Sequence, residues 1–144
     1  MSYLKVIPIE FNHCDPAGIV FYPRYFEMTN SVVENFFADV VGYSFARMHG
    51  EGARNGVPTV RIACEFRAAS RLGERLPFRL QVVSVGRSSL GLKITARMGE
   101  ELRLSAEITL VWIDNGRAAP WPAEVRERLM EALAEDARDD RQPA

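Results

Sequence analysis

The stretch that decides the fold covers residues 22–41 and reads YPRYFEMTNSVVENFFADVV. At about 100° per residue, its apolar side chains fall within roughly half of a helical circumference, and its polar side chains occupy the rest. Pro23 suits the first turn of a helix, where its missing N–H costs nothing, and Gly42 suits a helix C-cap. The pattern predicts one long helix, and so wide an apolar face implies that a large surface wraps around it. That face consists of Tyr25, Met28, Val32, Val33, Phe36, Phe37 and Val40.

Alternating apolar and polar residues on either side of this helix predict β-strands. A short strand precedes the helix at residues 4–11, and four longer ones follow it within residues 60–70, 76–82, 90–98 and 102–112. Each of the four has one apolar and one polar face, which is typical of a sheet with one face buried and one in water. In the first of them the apolar face, which we expect to be buried, consists of Val60, Ile62, Cys64, Phe66 and Ala68.

The order of these elements indicates the fold class. The connections between the four later strands are short and contain glycine, which is typical of hairpins. A second amphipathic helix starts at Pro122. The resulting order, β-α-β-β-β-β-α, predicts an α+β fold in which a curved antiparallel sheet of about five strands is wrapped around the long helix.

Length and composition restrict the class of protein. The 144 residues fit one domain, which we place at residues 1–137, and the Asp- and Arg-rich residues 138–144 are expected to form a flexible tail. Lys and Arg (18) nearly balance Asp and Glu (19), which argues against a nucleic-acid-binding protein. No apolar run is long enough to cross a membrane and the N-terminus does not resemble a signal peptide, so we expect a cytoplasmic protein without membrane partners.

The segment that is the strongest candidate for catalysis covers residues 11–25 and reads FNHCDPAGIVFYPRY. It combines a carboxylate in a turn, Asp15, with the start of the long helix, whose free N–H groups and partial positive charge can stabilise an oxyanion. Because Pro23 has no N–H, the candidate donor is Tyr22. A carboxylate beside such a donor can act as a general base or as a nucleophile on an acyl carbon. On the spacing alone, a structural role is favoured, in which Asp15 forms an Asx turn before Pro16.

Residues 15–25, DPAGIVFYPRY, resemble the signature of the 4-hydroxybenzoyl-CoA thioesterase family of hotdog-fold proteins, and GVP at 56–58, GRSS at 86–89 and PWP at 120–122 agree with that family. The resemblance implies a hotdog fold, a homodimer with active sites at the subunit interface and, often, a homotetramer. It implies hydrolysis of an acyl-CoA thioester without a metal or redox cofactor. It also implies that Asp15 is the catalytic carboxylate and that the backbone N–H of Tyr22 polarises the thioester carbonyl.

Substrate-binding residues follow from the chemistry of acyl-CoA. The CoA phosphates require local positive charge, for which Arg87 is the first candidate, with Ser88 and Ser89 as hydroxyl donors. Asn30, about two helical turns beyond Tyr22, can meet the tip of an acyl group. Aromatic or medium-length acyl chains would suit the apolar residues near the helix start, among which are Phe21 and Tyr25.

The remaining candidate groups receive structural interpretations. We expect His13 to be structural although it lies two residues from Asp15, and His49 to lie on the surface. Cys14 and Cys64 form no disulfide framework or metal site, and neither is expected to be a nucleophile. Two other functions stay open: a thioesterase that acts on acyl carrier protein, and a non-catalytic acyl-CoA-binding hotdog protein.

Overall fold

The computed structural model describes residues 2–50, 52 and 54–141. Its main sheet is antiparallel and has five strands: β1 Tyr3–Pro8, β3 Thr59–Phe66, β4 Arg75–Val85, β5 Ser89–Met98 and β6 Glu101–Val111. Their order in the sheet is β1-β4-β5-β6-β3, which confirms the predicted sheet. The sequential hairpins β4-β5 and β5-β6 place three of the four later strands side by side, and β1 joins the outer edge of β4.

The central helix, α1, covers Arg24–Phe36 and continues as a π-helical turn, Phe37–Val41. Gly42 ends it in the left-handed conformation, with φ 77°, as expected of a C-cap. The helix starts two residues later than predicted because Pro23 is its N-cap, so Tyr22 lies just outside the first turn. The apolar face is buried as predicted, except that Val40 is only half-buried.

The core lies between this helix and the concave face of the sheet. Alternate residues of β4, β5 and β6 point inwards and are almost fully buried. The C-terminal helix α3, Ala123–Arg141, packs against β4 and contributes Val125 and Leu129 to the same core. The arrangement is the predicted one, a sheet curved around a central helix, and it follows from matching two wide apolar surfaces.

The strand β3 departs from the prediction. Three members of its apolar face are exposed in the chain: Val60 (59%), Ile62 (41%) and Phe66 (44%). Because β3 is an edge strand paired only with β6, these side chains are covered on one side at most. Residues of α1 contact Phe66 and lie beside Ile62 without burying either side chain. The strand also ends earlier than predicted, since beyond Phe66 two successive N–H groups donate to the single carbonyl of Arg103.

Several smaller elements complete the fold. A short α-helix, α2, covers Phe45–Met48. A second sheet joins three two-residue strands, β2 Asn55–Gly56, β7 Ile113–Asp114 and β8 Arg117–Ala118. The first strand, predicted to reach residue 11, ends at Pro8, and a 3₁₀ turn follows at Phe11–His13. Helix α3 extends into the predicted tail as far as residue 141, and residues 142–144 lie outside the described residues. No helix in the described part of the chain is long and apolar enough to cross a membrane.

Candidate active site

The segment between the 3₁₀ turn and α1 folds back on itself as a small hairpin. The backbone N–H of Phe21 donates to the carbonyl of His13 at 2.9 Å, and that of Asp15 donates to the carbonyl of Ile19 at 3.0 Å. Gly18 adopts φ 79°, a left-handed conformation that favours glycine, at the tip of this hairpin. The hairpin therefore carries Asp15 at its tip and delivers the chain to the start of α1.

The Asp15 carboxylate is half-buried and is oriented by its own turn. Its Oδ1 accepts the backbone N–H of Ala17 at 2.9 Å, which is the Asx turn that the sequence left open as a structural role. No hydrogen bond to Oδ2 is found among the described residues. One oxygen thus fixes the carboxylate, while the other is available to a water molecule or to a substrate atom.

Among the described residues, the backbone N–H of Tyr22 is the one unpartnered N–H between Val20 and Phe26. Val20 and Phe21 donate to carbonyls of neighbouring segments, Pro23 has no N–H, and the next three N–H groups donate within the first turn of α1. Tyr22 therefore presents a free donor beside the positive end of the α1 dipole. It is the N–H that the sequence analysis names as the candidate oxyanion donor, and that role stays a prediction.

Two grooves lie along α1 on the side of β3. The first, of about 290 Å³, is lined by Tyr22, Tyr25 and Phe66 among others. The ring of Phe66 lies 5.8 Å from that of Tyr22 and 6.1 Å from that of Phe26, measured between centroids. The second groove, of about 180 Å³, lies on the other side of Phe26 and includes Asn30 and Ile62 in its wall. Asn30 and Tyr22 thus lie on the same side of the helix.

The two aromatic residues proposed for acyl binding differ in position. Tyr25 is buried, with 4% of its surface exposed, and its ring lies 5.7 Å from Phe66, so that it belongs to the core as well as to the wall of the first groove. Phe21 is half-exposed and packs against the ring of Tyr22 at 5.7 Å, but it lines neither groove.

The candidate phosphate-binding residues lie at the turn between β4 and β5: Arg87 and Ser88 are in the turn, and Ser89 is the first residue of β5. The turn is closed by the N–H of Gly86, which donates to the carbonyl of Ser89 at 2.9 Å. The Arg87 side chain is exposed. A second arginine, which the sequence analysis missed, also reaches the turn: Arg126 of α3 donates from Nη1 to the carbonyl of Gly86 at 3.0 Å. Its separation of 40 residues from Gly86 left no sequence signal.

The structure does not bring the two halves of the predicted site together within one chain. The hairpin with Asp15 pairs with the segment just before β4, through a bridge between Ile19 and Arg71, whereas Arg87 follows the far end of β4. β4 has 11 residues, so its ends are separated by roughly 30 Å at about 3.3 Å per residue.

The histidines and cysteines take structural positions. Nδ1 of His13 accepts the backbone N–H of Glu10 at 2.9 Å, as a structural histidine would, and His49 is exposed as predicted. Burial raises the pKa of the Cys64 thiol, with a smaller contribution from Glu65, which disfavours the nucleophilic thiolate. Among the described residues, no cluster of three or more His, Cys, Asp or Glu side chains could hold a metal ion.

Comparison with known proteins gives one family match and many structural ones. Residues 9–129 match the Thioesterase-like superfamily. A Staphylococcus aureus protein in complex with CoA is similar in fold, with a TM-score of 0.86 at 15% identity over 100% of this chain and 87% of that one. A 1,4-dihydroxy-2-naphthoyl-CoA thioesterase from Synechocystis gives 0.81 at 18% identity over 91% and 97% of the two chains. A gentisyl-coenzyme A thioesterase gives 0.78 at 22% over 86% and 99%. The comparison with curated proteins gives no match.

Proposed function

The chain belongs to the thioesterase-like superfamily, and on this premise we propose that it is an acyl-CoA thioesterase that releases a carboxylic acid and CoA. The observation that carries the proposal is the unpartnered N–H of Tyr22, at the start of α1, beside a hairpin that carries the oriented carboxylate of Asp15. These two groups are the minimum that acyl transfer from a thioester requires, because the thiolate is a good leaving group.

In the proposed reaction, the thioester oxygen accepts the N–H of Tyr22, and the positive end of the α1 dipole stabilises the negative charge that develops there. The free Oδ2 of Asp15 then acts in one of two ways. As a nucleophile it forms a mixed anhydride and expels the CoA thiolate, and water hydrolyses the anhydride. As a general base it takes a proton from water, which attacks the carbonyl carbon directly. Either route consumes one water per thioester.

The acyl group is proposed to lie along α1. From Tyr22 to Asn30 the chain advances eight residues, or about 12 Å at 1.5 Å per helical residue, which suits an aromatic or a short to medium acyl group. Tyr25 and Phe66 provide apolar walls, and the Asn30 amide can donate to or accept from a polar tip. Phe21 packs against the ring of Tyr22 outside the grooves, where it would have to move to contact the acyl group. Two of the structural neighbours are named for aromatic CoA esters, which supports an aromatic substrate.

The CoA phosphates are proposed to bind at the turn of Arg87, Ser88 and Ser89, to which Arg126 adds a second guanidinium. Because this turn lies at the far end of β4 from Asp15, the nucleotide bound near one Asp15 would contact the turn of a partner subunit.

The exposed apolar side chains of the edge strand β3 support such a homodimer, since an uncovered apolar edge favours pairing with a second copy. A homotetramer would be a pair of these dimers.

Release of free thiol from a panel of aromatic and aliphatic acyl-CoA esters tests the function. We expect hydrolysis of at least one ester, with saturation kinetics. Two other outcomes would replace the proposal. Calorimetric binding of acyl-CoA without hydrolysis would favour the non-catalytic binding protein, and faster turnover of the same acyl group on acyl carrier protein would favour that carrier.

A further inference from the structure

A buried charged network lies directly behind the hairpin of the candidate site. Arg103 of β6 is only 7% exposed. Its Nη1 and Nη2 donate to the two carboxylate oxygens of Glu74, each at 3.0 Å, and Nη1 also lies 3.0 Å from Ala69 O and Ser70 Oγ. Its Nε lies 2.6 Å from Glu101 Oε1. The hydrogen bonds from Arg103 lower the pKa of the Glu74 carboxyl, so the pair is ionised at neutral pH.

The segment that this arginine holds, residues 69–74, is the backbone partner of the hairpin. After Asp15, the N–H of Val20 donates to the carbonyl of Ser70 at 2.9 Å. Before it, the N–H of Ile9 donates to the carbonyl of Glu74 at 2.7 Å. Both flanks of the catalytic turn are therefore hydrogen-bonded to one short segment.

We propose that the Arg103–Glu74 pair is a positioning element for the active site: it fixes residues 69–74 and, through them, the alignment of Asp15 with the N–H of Tyr22. This inference rests on the proposed function. Val20 is two residues from Tyr22, so a shift of residues 69–74 is passed directly to the oxyanion donor. Misplacement of reacting groups by about 1 Å can lower a rate by about 10²-fold.

The geometry requires an arginine at this position. The two Nη groups donate to the Glu74 carboxylate, the Ala69 carbonyl and the Ser70 hydroxyl, and Nε lies beside the Glu101 carboxylate as an ion pair. A planar fork with five donors can meet them together, whereas a lysine ammonium has three donors on a single atom. Arg103→Lys is therefore expected to keep the charge but not the alignment.

Three variants separate positioning from mere stability: Arg103→Met, the double variant Arg103→Met/Glu74→Met, and the control Arg97→Met. The single variant leaves the half-buried Glu74 carboxylate with the N–H of Arg71 but without the guanidinium, so both the melting temperature and kcat should fall. The double variant removes both charges, so its melting temperature should return towards that of the wild type. The kcat of the double variant should stay about 10–100-fold below that of the wild type, with KM little changed.

The control variant removes Arg97, which is exposed at the same end of the sheet. Its loss should change neither the melting temperature nor kcat.

Recovery of kcat together with the melting temperature in the double variant would overturn the proposal, because the pair would then only stabilise the fold. If the single variant does not fold, the double variant alone decides.

Hydrogen exchange gives a readout that does not depend on activity. In the double variant the amides of Ile9 and Val20 should exchange faster, while the amide of Ile94, in the central strand β5, should keep its protection. Unchanged protection of Ile9 and Val20 would overturn the inference. A wild-type protein that hydrolyses no thioester would instead contradict the proposed function, and the exchange result would still report on the positioning contact.

Discussion

Replacing Asp15 with asparagine separates the two roles that the structure gives this residue. The asparagine amide would keep a side-chain oxygen for the N–H of Ala17, which Asp15 Oδ1 now accepts at 2.9 Å. The structural cost is therefore within the roughly 0.5–1.5 kcal/mol of a typical hydrogen bond. The substitution removes the charge from Oδ2, the atom proposed to attack the thioester or to activate water.

The expected loss in kcat is at least about 10²-fold, the usual effect of losing a general base, and larger if Asp15 is the nucleophile. At about 1.36 kcal/mol per tenfold, this loss corresponds to at least about 2.7 kcal/mol of activation free energy. KM should change little, because the contacts to the acyl group and the nucleotide remain. The melting temperature should hold or rise, since a carboxylate kept half-buried for chemistry often reduces stability.

The assay is steady-state hydrolysis of the best ester of the panel, with melting recorded on the same preparations. Asp114→Asn is the matched control, because Asp114 is exposed in the small second sheet and its loss should leave kcat unchanged. A folded Asp15→Asn protein with near wild-type kcat would refute the catalytic role and leave Asp15 as the residue of an Asx turn.

Three other predictions concern the rest of the molecule. Arg87→Ala and Arg126→Ala should each raise KM for acyl-CoA several-fold with less change in kcat, since a contact to a remote phosphate contributes equal binding energy in the ground and transition states. An unchanged KM in both variants would place the phosphates elsewhere. Val60→Lys puts a charge on an exposed apolar position of β3 that lines neither groove, so light scattering should show monomers and hydrolysis should fail. A wild-type monomer at micromolar concentration would exclude the shared site. Burial raises the pKa of the Asp136 carboxyl in the folded chain above its ordinary value. The folded state therefore loses stability as the pH rises from the ordinary carboxyl pKa through the raised one. Asp136→Asn keeps an acceptor for the N–H of Val82 and should raise the melting temperature at pH 7. The melting temperatures of the variant and the wild type should converge in acid, and a lower melting temperature of the variant at every pH would contradict this.

Local pattern was enough for the parts of the molecule in which neighbouring residues decide the structure. The apolar face of α1 apart from Val40, its end at Gly42 and most of the alternation in β4, β5 and β6 were predicted correctly, because helical and strand periods are set by nearby side chains. Arg103 of β6 is an exception, since the alternation places it on the face in water and it is only 7% exposed. The turn that carries Asp15 and the position of the Tyr22 N–H just before the helix also belong here, since a turn and a helix start are specified within about ten residues.

Long-range pairing decided the rest, and periodicity carries no information about it. The alternation in β3 is the same as in its neighbours, yet Ile62 and Phe66 are exposed because the sheet order places β3 at an edge. Arg103 meets Glu74 across 29 residues and Arg126 meets Gly86 across 40. No pattern in the sequence distinguishes Arg103, Glu74 or Arg126 from the other charged residues. The packing of β6 behind the hairpin places Arg103 beside the candidate site, and the packing of α3 against the end of β4 places Arg126 there. The tertiary structure alone decides such contacts, because the partner of a side chain across the fold depends on how whole helices and strands pack together.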